Sequence, residues 1–206
     1  MFNGIIEVTG KIVSTEKSAG DARRFVIDAG KLADRLNPGD SLAVDGVCLT
    51  VTKRKNKKVF LDISPETLKR TNFNARKKGM RVNLEMPITV STLISGHFVQ
   101  GHVEGVGRTS KWKRNGNDVR LQVELPGDLV TYCVAKGSIA LNGVSLTIAE
   151  LRKKTVEIAL IPYTLKHTNL GDLNEGDPVN IETDMIGRYV VSVVKNTYDK
   201  GRFGKR

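Results

Sequence analysis

The stretch DSLAVDGVCLTV (residues 40–51) returns 97 positions later as GSIALNGVSLTI (137–148), with Ser145 where the first copy has Cys48. The correspondence extends well beyond this stretch. Residues 41–85 and 138–182 align without a gap, and roughly 18 of 45 positions are identical, far more than unrelated segments share. SPETLKRTN (64–72) meets IPYTLKHTN (161–169), VNLE (82–85) meets VNIE (179–182), and GIIEVTG (4–10) meets GHVEGVG (101–107). The chain is a tandem duplication, with boundaries read as 1–92, 93–184 and a terminal segment 185–206.

Each copy reads mainly as strands. Val47, Leu49 and Val51 alternate with Cys48, Thr50 and Thr52, so one face is apolar and the other polar. KKVFLDI and TVEIALI give return strands after a basic turn, which predicts hairpins. Ser64 before Pro65 marks a short helix, and further helical turns are expected at 29–37 and 126–134. About six short strands in fewer than 90 residues predict a small antiparallel barrel per copy. Ile186, Tyr189, Val190, Val193 and Val194 recur at helical spacing, predicting an amphipathic helix over 185–199 outside both barrels.

Composition excludes several classes. The chain has 206 residues, net charge +11 and two cysteines, too few for a disulfide framework and in no metal-binding spacing. With no long apolar run and no signal-like N-terminus, a cytoplasmic protein without membrane contact is expected. The basic groups KRKNKK (53–58), RKK (76–78) and RKK (152–154) fall at turns, where charge is ordinarily solvated. They lack the interleaved aromatics of a nucleic-acid surface, so no nucleic-acid partner is expected. No phosphate-binding loop, dinucleotide fingerprint or zinc motif is present, so neither cofactor nor metal is expected.

Candidate chemistry lies where the copies agree in polarity or differ in charge. Ser41 with Ser138, Thr50 with Thr147 and Cys48 with Ser145 keep small hydrogen-bonding groups on one strand face, which either meets solvent or lines a site. Three ionisable groups occur in the second copy alone: His102 opposite Ile5, Lys136 opposite Gly39 and Asp184 opposite Pro87. His97 and His102 flank GHFVQGH, where Gly101 is a candidate bulge. Cys48 sits among apolar strand residues, which makes it a positioning group before a nucleophile.

MFNGIIE, DGVCLTV with NGVSLTI, SGHFVQGHVEG and VNIETDMIGRY together resemble riboflavin synthase of the alpha-chain type, over about residues 1–190. The resemblance implies an all-β fold of two six-stranded Greek-key barrels and a C-terminal helix, joined through that helix into a homotrimer. It implies a transferase that dismutates two 6,7-dimethyl-8-ribityllumazine molecules into riboflavin and 5-amino-6-ribitylaminouracil, the last step of riboflavin biosynthesis. Some members of the family sit inside a lumazine synthase shell, so association with that protein is a further implication. The substrate-binding segments it implies are Gly4, Ile5 and Ile6, then Cys48, Leu49 and Thr50, then Asp62, Ile63, Ser64, Pro65, Glu66 and Thr67 in the first barrel. In the second they are Gly101, His102 and Val103, Lys136, then Ser145, Leu146 and Thr147, then Ile161, Pro162, Tyr163 and Thr164. Tyr163 departs from the family pattern, which has a different polar residue there. Phe2, Ser41, Cys48, His97, His102, Ser145, Thr147 and Asp184 match positions tied to catalysis or site integrity. A neutral imidazole such as His102 suits the acidic 7-methyl of a lumazine. Water, Ser41 or a ribityl hydroxyl are the candidate nucleophiles. The rival is a lumazine protein that binds the same ligands without turning them over.

Overall fold

The computed structural model describes residues 1–18, 20–116 and 118–199; the basic tail from 200 to 206 lies outside them. The first half forms β1 (Val8–Lys17), β2 (Arg23–Asp28), β3 (Ser41–Val44), β4 (Val47–Lys55), β5 (Lys58–Ile63) and β6 (Arg81–Glu85). The second forms β7 (Gly105–Asn115), β8 (Asp118–Glu124), β9 (Ser138–Leu141), β10 (Val144–Leu151), β11 (Thr155–Leu160) and β12 (Pro178–Thr183). Each set closes into an antiparallel barrel, in the order β1-β2-β5-β4-β3-β6 and its repeat β7-β8-β11-β10-β9-β12. Sequential strands are interrupted by a longer crossing, as in a Greek key, and closure leaves no free sheet edge within either barrel. Four register shifts, at Ile12/Ser14 and Val51/Lys53 and at their equivalents Thr109/Lys111 and Ile148/Glu150, bend the long strands around the barrels.

The alternation in β4 falls as its sequence predicts: Val47, Leu49 and Val51 are buried, while Cys48 is half-buried and Thr50 exposed. Each barrel is filled by aliphatic side chains, with Phe25 and Phe73 meeting edge to face at 5.2 Å in the first. Each such side chain contributes roughly 1.5–3 kcal/mol on burial. The short helix α1 (Pro65–Arg70) begins at Ser64, whose hydroxyl accepts from the Thr67 amide, and its counterpart is α2 (Pro162–His167). The helical turns expected at 29–37 and 126–134 are 3-10 turns, Gly30–Arg35 and Leu129–Tyr132. A long helix, α3 (Met185–Asp199), follows the second barrel. It touches that barrel where Gly187 passes the Tyr132 carbonyl, close enough that an added Cβ would lie 2.4 Å from the oxygen. Its apolar stripe faces outward, with Ile186, Tyr189 and Val193 all more than 60% exposed.

The barrels meet through equivalent hairpin turns. The hairpin turns Asp45-Gly46 and Asn142-Gly143 have all four residues at positive φ and stand back to back. A Cβ on Gly46 would lie 2.6 Å from the Gly143 nitrogen, and one on Gly143 would lie 2.7 Å from the Gly46 nitrogen. Around these turns is a buried polar network. Asn83 Nδ2 donates to the Asn142 carbonyl and to Asn169 Oδ1, both at 2.9 Å, and Asn180 Nδ2 donates to the Asp45 carbonyl at 2.9 Å. Asn72 N donates to Asn180 Oδ1 at 2.7 Å and Asn169 Nδ2 to Asp45 Oδ1 at 2.7 Å. Asp45 is fully buried and pairs with Arg76, Nη2 to Oδ2 2.5 Å. Arg76 therefore departs from the expectation that the 76–78 group is solvated: its side chain is 11% exposed because it neutralises a carboxylate inside the seam.

Two crossed half-sites between the barrels

The segments ahead of β1 and β7 do not stay with their own barrels. Residues 1–6 and 97–103 run antiparallel and cross at Phe2 and Val99, which exchange two backbone hydrogen bonds of 2.7 and 3.1 Å. Phe2 and Val99 are fully buried there with Ala43 and Ala140, equivalent residues of the two copies. Past the crossing, the Gly4 carbonyl accepts from Ser145 N on β10 at 2.8 Å, and the Gly101 carbonyl accepts from Cys48 N on β4 at 2.9 Å. Ile6 packs against the core of the second barrel and Val103 against that of the first. This revises the grouping drawn from the sequence: Gly4–Ile6 accompanies Ser145–Thr147, and Gly101–Val103 accompanies Cys48–Thr50. Both glycines need their left-handed backbone, φ +73 and +78, and an added Cβ would lie 2.6 Å from the Cβ of Ser145 or Cys48. Gly101 serves a close approach between arm and strand, not the strand bulge anticipated.

Each arm is held by a buried carboxylate that the sequence reading passed over. Glu85, at the end of β6, accepts from the amides of Asn3 (2.6 Å) and Gly4 (3.1 Å). Glu182, at the equivalent point of β12, accepts from Gln100 (2.6 Å), Gly101 (2.9 Å) and His102 (2.9 Å). Burial pushes Glu85 up to about 7, against the amides of Asn3, Ile5 and Gly4, which favour the ionised form. Burial likewise raises Glu182, opposed by its three amides and by Arg188.

On the first barrel, beside the arm carrying His102, stand Ser41 and Thr50, opposite each other in the β3–β4 ladder. Along the adjoining β5 edge, Asp62 forms a two-point ion pair with Arg24 (2.7 and 2.8 Å), which holds its carboxyl below the usual carboxylate range. Ser64, Pro65 and Glu66 are exposed at the start of α1 and Thr67 is half-buried, whereas Leu49 and Ile63 point into the barrel core and offer only backbone. His102 is exposed.

On the second barrel, Thr147 is paired with Ser138, and Leu146 packs half-buried on the core. His97 Nδ1 lies 2.7 Å from the Ser145 hydroxyl. Burial lowers His97 from the ordinary imidazole value, opposed by the charge of Asp184, so a neutral ring is favoured. Asp184 Oδ1 accepts from the Ile186 amide at 3.0 Å, so the same residue also starts α3. Ile161, Pro162 and Tyr163 are exposed at the start of α2, Thr164 is half-buried, and Tyr163 stacks on His167 with centroids 4.0 Å apart. Lys136 adopts φ +66 in the turn that Gly39 makes at +97 in the first copy; the Lys136 amide donates to the Ile148 carbonyl on β10 and the Gly39 amide to the Val51 carbonyl on β4, each at 2.8 Å. A lysine in that conformation costs about 1 kcal/mol over glycine. Phe2 has no exposed surface and packs where the arms cross.

The concavities of roughly 660 Å³ beside Val13 and Phe60 and roughly 590 Å³ beside Arg76 and Arg81 lie away from Cys48, His97 and Ser145. Ile5 on the first arm and Ile161 at the start of α2 are exposed apolar side chains on the second-barrel side. No helix among the described residues is long and apolar enough to cross a membrane.

Comparison with known proteins agrees with this duplicated geometry. The family model described as lumazine binding domain matches twice, at residues 3–87 and 100–184. Riboflavin synthase of Bacillus subtilis is 43% identical over 190 residues, covering 92% of this chain and 88% of the relative. Riboflavin synthase of Schizosaccharomyces pombe is 38% identical over 197 residues, covering 95% and 94%. Among solved structures, LumP complexed with riboflavin superposes with a TM-score of 0.83 at 28% identity, covering 89% of this chain and 99% of that one. LumP complexed with 6,7-dimethyl-8-(1'-D-ribityl) lumazine gives 0.80 at 27% identity, with the same coverage.

Proposed function

This chain belongs to the riboflavin synthase family, built from two lumazine-binding domains, and from that premise we propose that it converts two 6,7-dimethyl-8-ribityllumazine molecules into riboflavin and 5-amino-6-ribitylaminouracil. The observation that carries the proposal is the pair of crossed half-sites, equivalent in backbone and unequal in side chains. The reaction uses one substrate twice, as donor and as acceptor of a four-carbon unit. The atoms of two lumazines equal those of the two products, so the overall balance calls for no oxidant or reductant.

The residues divide the work by their surroundings. Gly4–Ile6 with Ser145 and Thr147, and Gly101–Val103 with Cys48 and Thr50, each supply backbone and hydroxyl groups to one planar ring. His102 is the candidate base for the 7-methyl proton, since the carbanion it leaves is delocalised into an electron-poor ring. His97, held neutral against Ser145, orients that hydroxyl toward the ring oxygen where negative charge grows. Holding two rings face to face supplies much of the acceleration, because oriented pairs reach effective molarities of about 10⁵ M or more. The outward apolar stripe on α3 supports a homotrimer joined through that helix; a cytoplasmic location and association with lumazine synthase are carried by the family resemblance alone.

A second reading is favoured by the superposition on LumP: a protein that binds lumazine or flavin without turnover. Higher identity to the riboflavin synthases supports the enzyme. Incubation with 6,7-dimethyl-8-ribityllumazine in metal-free buffer separates the two. Riboflavin at half the molar amount of lumazine consumed is expected; tight binding with no riboflavin overturns the enzyme reading.

A further inference from the structure

The arms that border the half-sites contribute no strand to either barrel, so something else must fix them. In each copy a single buried carboxylate gathers consecutive arm amides: Glu85 those of Asn3 and Gly4, Glu182 those of Gln100, Gly101 and His102. Glu85 is 4% exposed and Glu182 2%, so water does not substitute for them. A carboxylate is suited to converging donors because both its oxygens only accept. Glutamine would turn one oxygen into an NH2 facing those amides, and aspartate would fall one methylene short.

Because the arms cross, each carboxylate belongs to the barrel opposite the half-site it serves. We propose that Glu182 is a positioning residue for the half-site on the first barrel and Glu85 for the half-site on the second, so that each copy of the duplication sets the geometry of the other's site. The proposal rests on the functional reading above for the meaning of the sites. The crossed control itself is a statement about the chain alone. Glu182 fixes Gly101, whose carbonyl bonds to Cys48 N, and Glu85 fixes Gly4, whose carbonyl bonds to Ser145 N. An effect on the arm is told apart from a loss of the barrel by a probe placed in each.

Cys48 provides a native reporter. It is half-buried where the arm crosses β4, whereas Cys133 is buried in the second barrel with its thiol pushed up to about 11. Iodoacetamide labelling, read by peptide mass, follows each thiol separately. Glu182→Gln is expected to speed Cys48 labelling at least about tenfold, since hydrogen bonds to a charged acceptor are lost, while Cys133 stays protected. Glu85→Gln is expected to leave Cys48 within about twofold of the unsubstituted chain. In a Cys48→Ser, Ser145→Cys background the pattern should reverse, with Glu85→Gln exposing the new thiol and Glu182→Gln not.

Equal effects of both variants on Cys48, or no effect of Glu182→Gln, overturn the proposal. So does exposure of Cys133 by Glu182→Gln, which would make the carboxylate a support of the whole barrel. Steady-state kinetics add a reading that folding alone would not move: each variant should raise KM for lumazine more than it lowers kcat. Labelling needs no lumazine, so an unsubstituted chain that forms no riboflavin removes the functional reading and leaves crossed control standing or falling by its own result.

Discussion

Glu85→Gln should change how the stability of this protein depends on pH, in a direction opposite to that of a surface carboxylate. Burial raises Glu85 from 4.5 to about 7, with neighbouring Glu7 adding to the rise. Between those values the folded chain keeps a proton that the unfolded chain has released, so stability falls as pH rises through the window. The contribution is fully present below about pH 4.5 and gone above about 7. Its size is about 3 kcal/mol, from about 1.4 kcal/mol per pH unit. Urea unfolding of both proteins at pH 4.5, 6, 7 and 8, at one concentration, isolates the effect as a difference. The glutamine has no proton to lose, and its mismatch with the arm amides adds an offset that does not vary with pH. The stability of the unsubstituted chain relative to the variant should therefore fall by about 3 kcal/mol from pH 4.5 to 8. Parallel curves would refute the argument, because they would mean that the amides fully compensate burial and that Glu85 is ionised throughout.

Five other outcomes are expected. His97→Gln should flatten the loss of stability as pH drops below about 6.5, since burial lowers His97 and the folded chain resists its protonation; urea midpoints at pH 5 and 8 check this. His102→Gln should lower kcat at least about tenfold while changing lumazine affinity little, and unchanged turnover would remove it as the base. Cys48→Ser copies the second half and should keep measurable riboflavin formation; loss of turnover with normal binding would assign the thiol a chemical role. Gly46→Ala should destabilise by about 2–3 kcal/mol, because it adds left-handed strain to an overlap with the Gly143 backbone. Gly39→Ala, at φ +97 with open space around it, should lose only about 1 kcal/mol in the same thermal or urea assay.

The barrels were legible because a strand facing a packed core has a period of two, and a duplicated strand states that period twice. Val47, Leu49 and Val51 needed no tertiary information, nor did Ser64 at the start of α1. What the pattern concealed was the partner of each arm. Gly4–Ile6 precedes β1 in the chain and was grouped with it, yet its hydrogen bond runs to Ser145, and a one-dimensional repeat is silent about which copy an equivalent contact joins. The seam was concealed for a similar reason. Asp45, Asn72, Asn83, Glu85 and their counterparts read as turn or polar strand residues, although the repeat itself kept polarity at all four positions. Polar groups held in both copies inside apolar strands such as VNLE and VNIE were the available signal for a buried network. Arg76 gave none, because Leu173 replaces it in the second copy and Asp45 lies far away in sequence.

The crossing of the arms also bears on how two copies of one gene segment can part ways. A substitution in an arm takes effect on the barrel inherited from the other copy, so neither half drifts independently. His102 of the second copy is delivered to the first barrel beside Cys48, while Ile5, its counterpart in the first copy, lies at the second beside Ser145. Divergence in one repeat is thus expressed as function in its twin, and a selective gain in either half binds both to a shared fate.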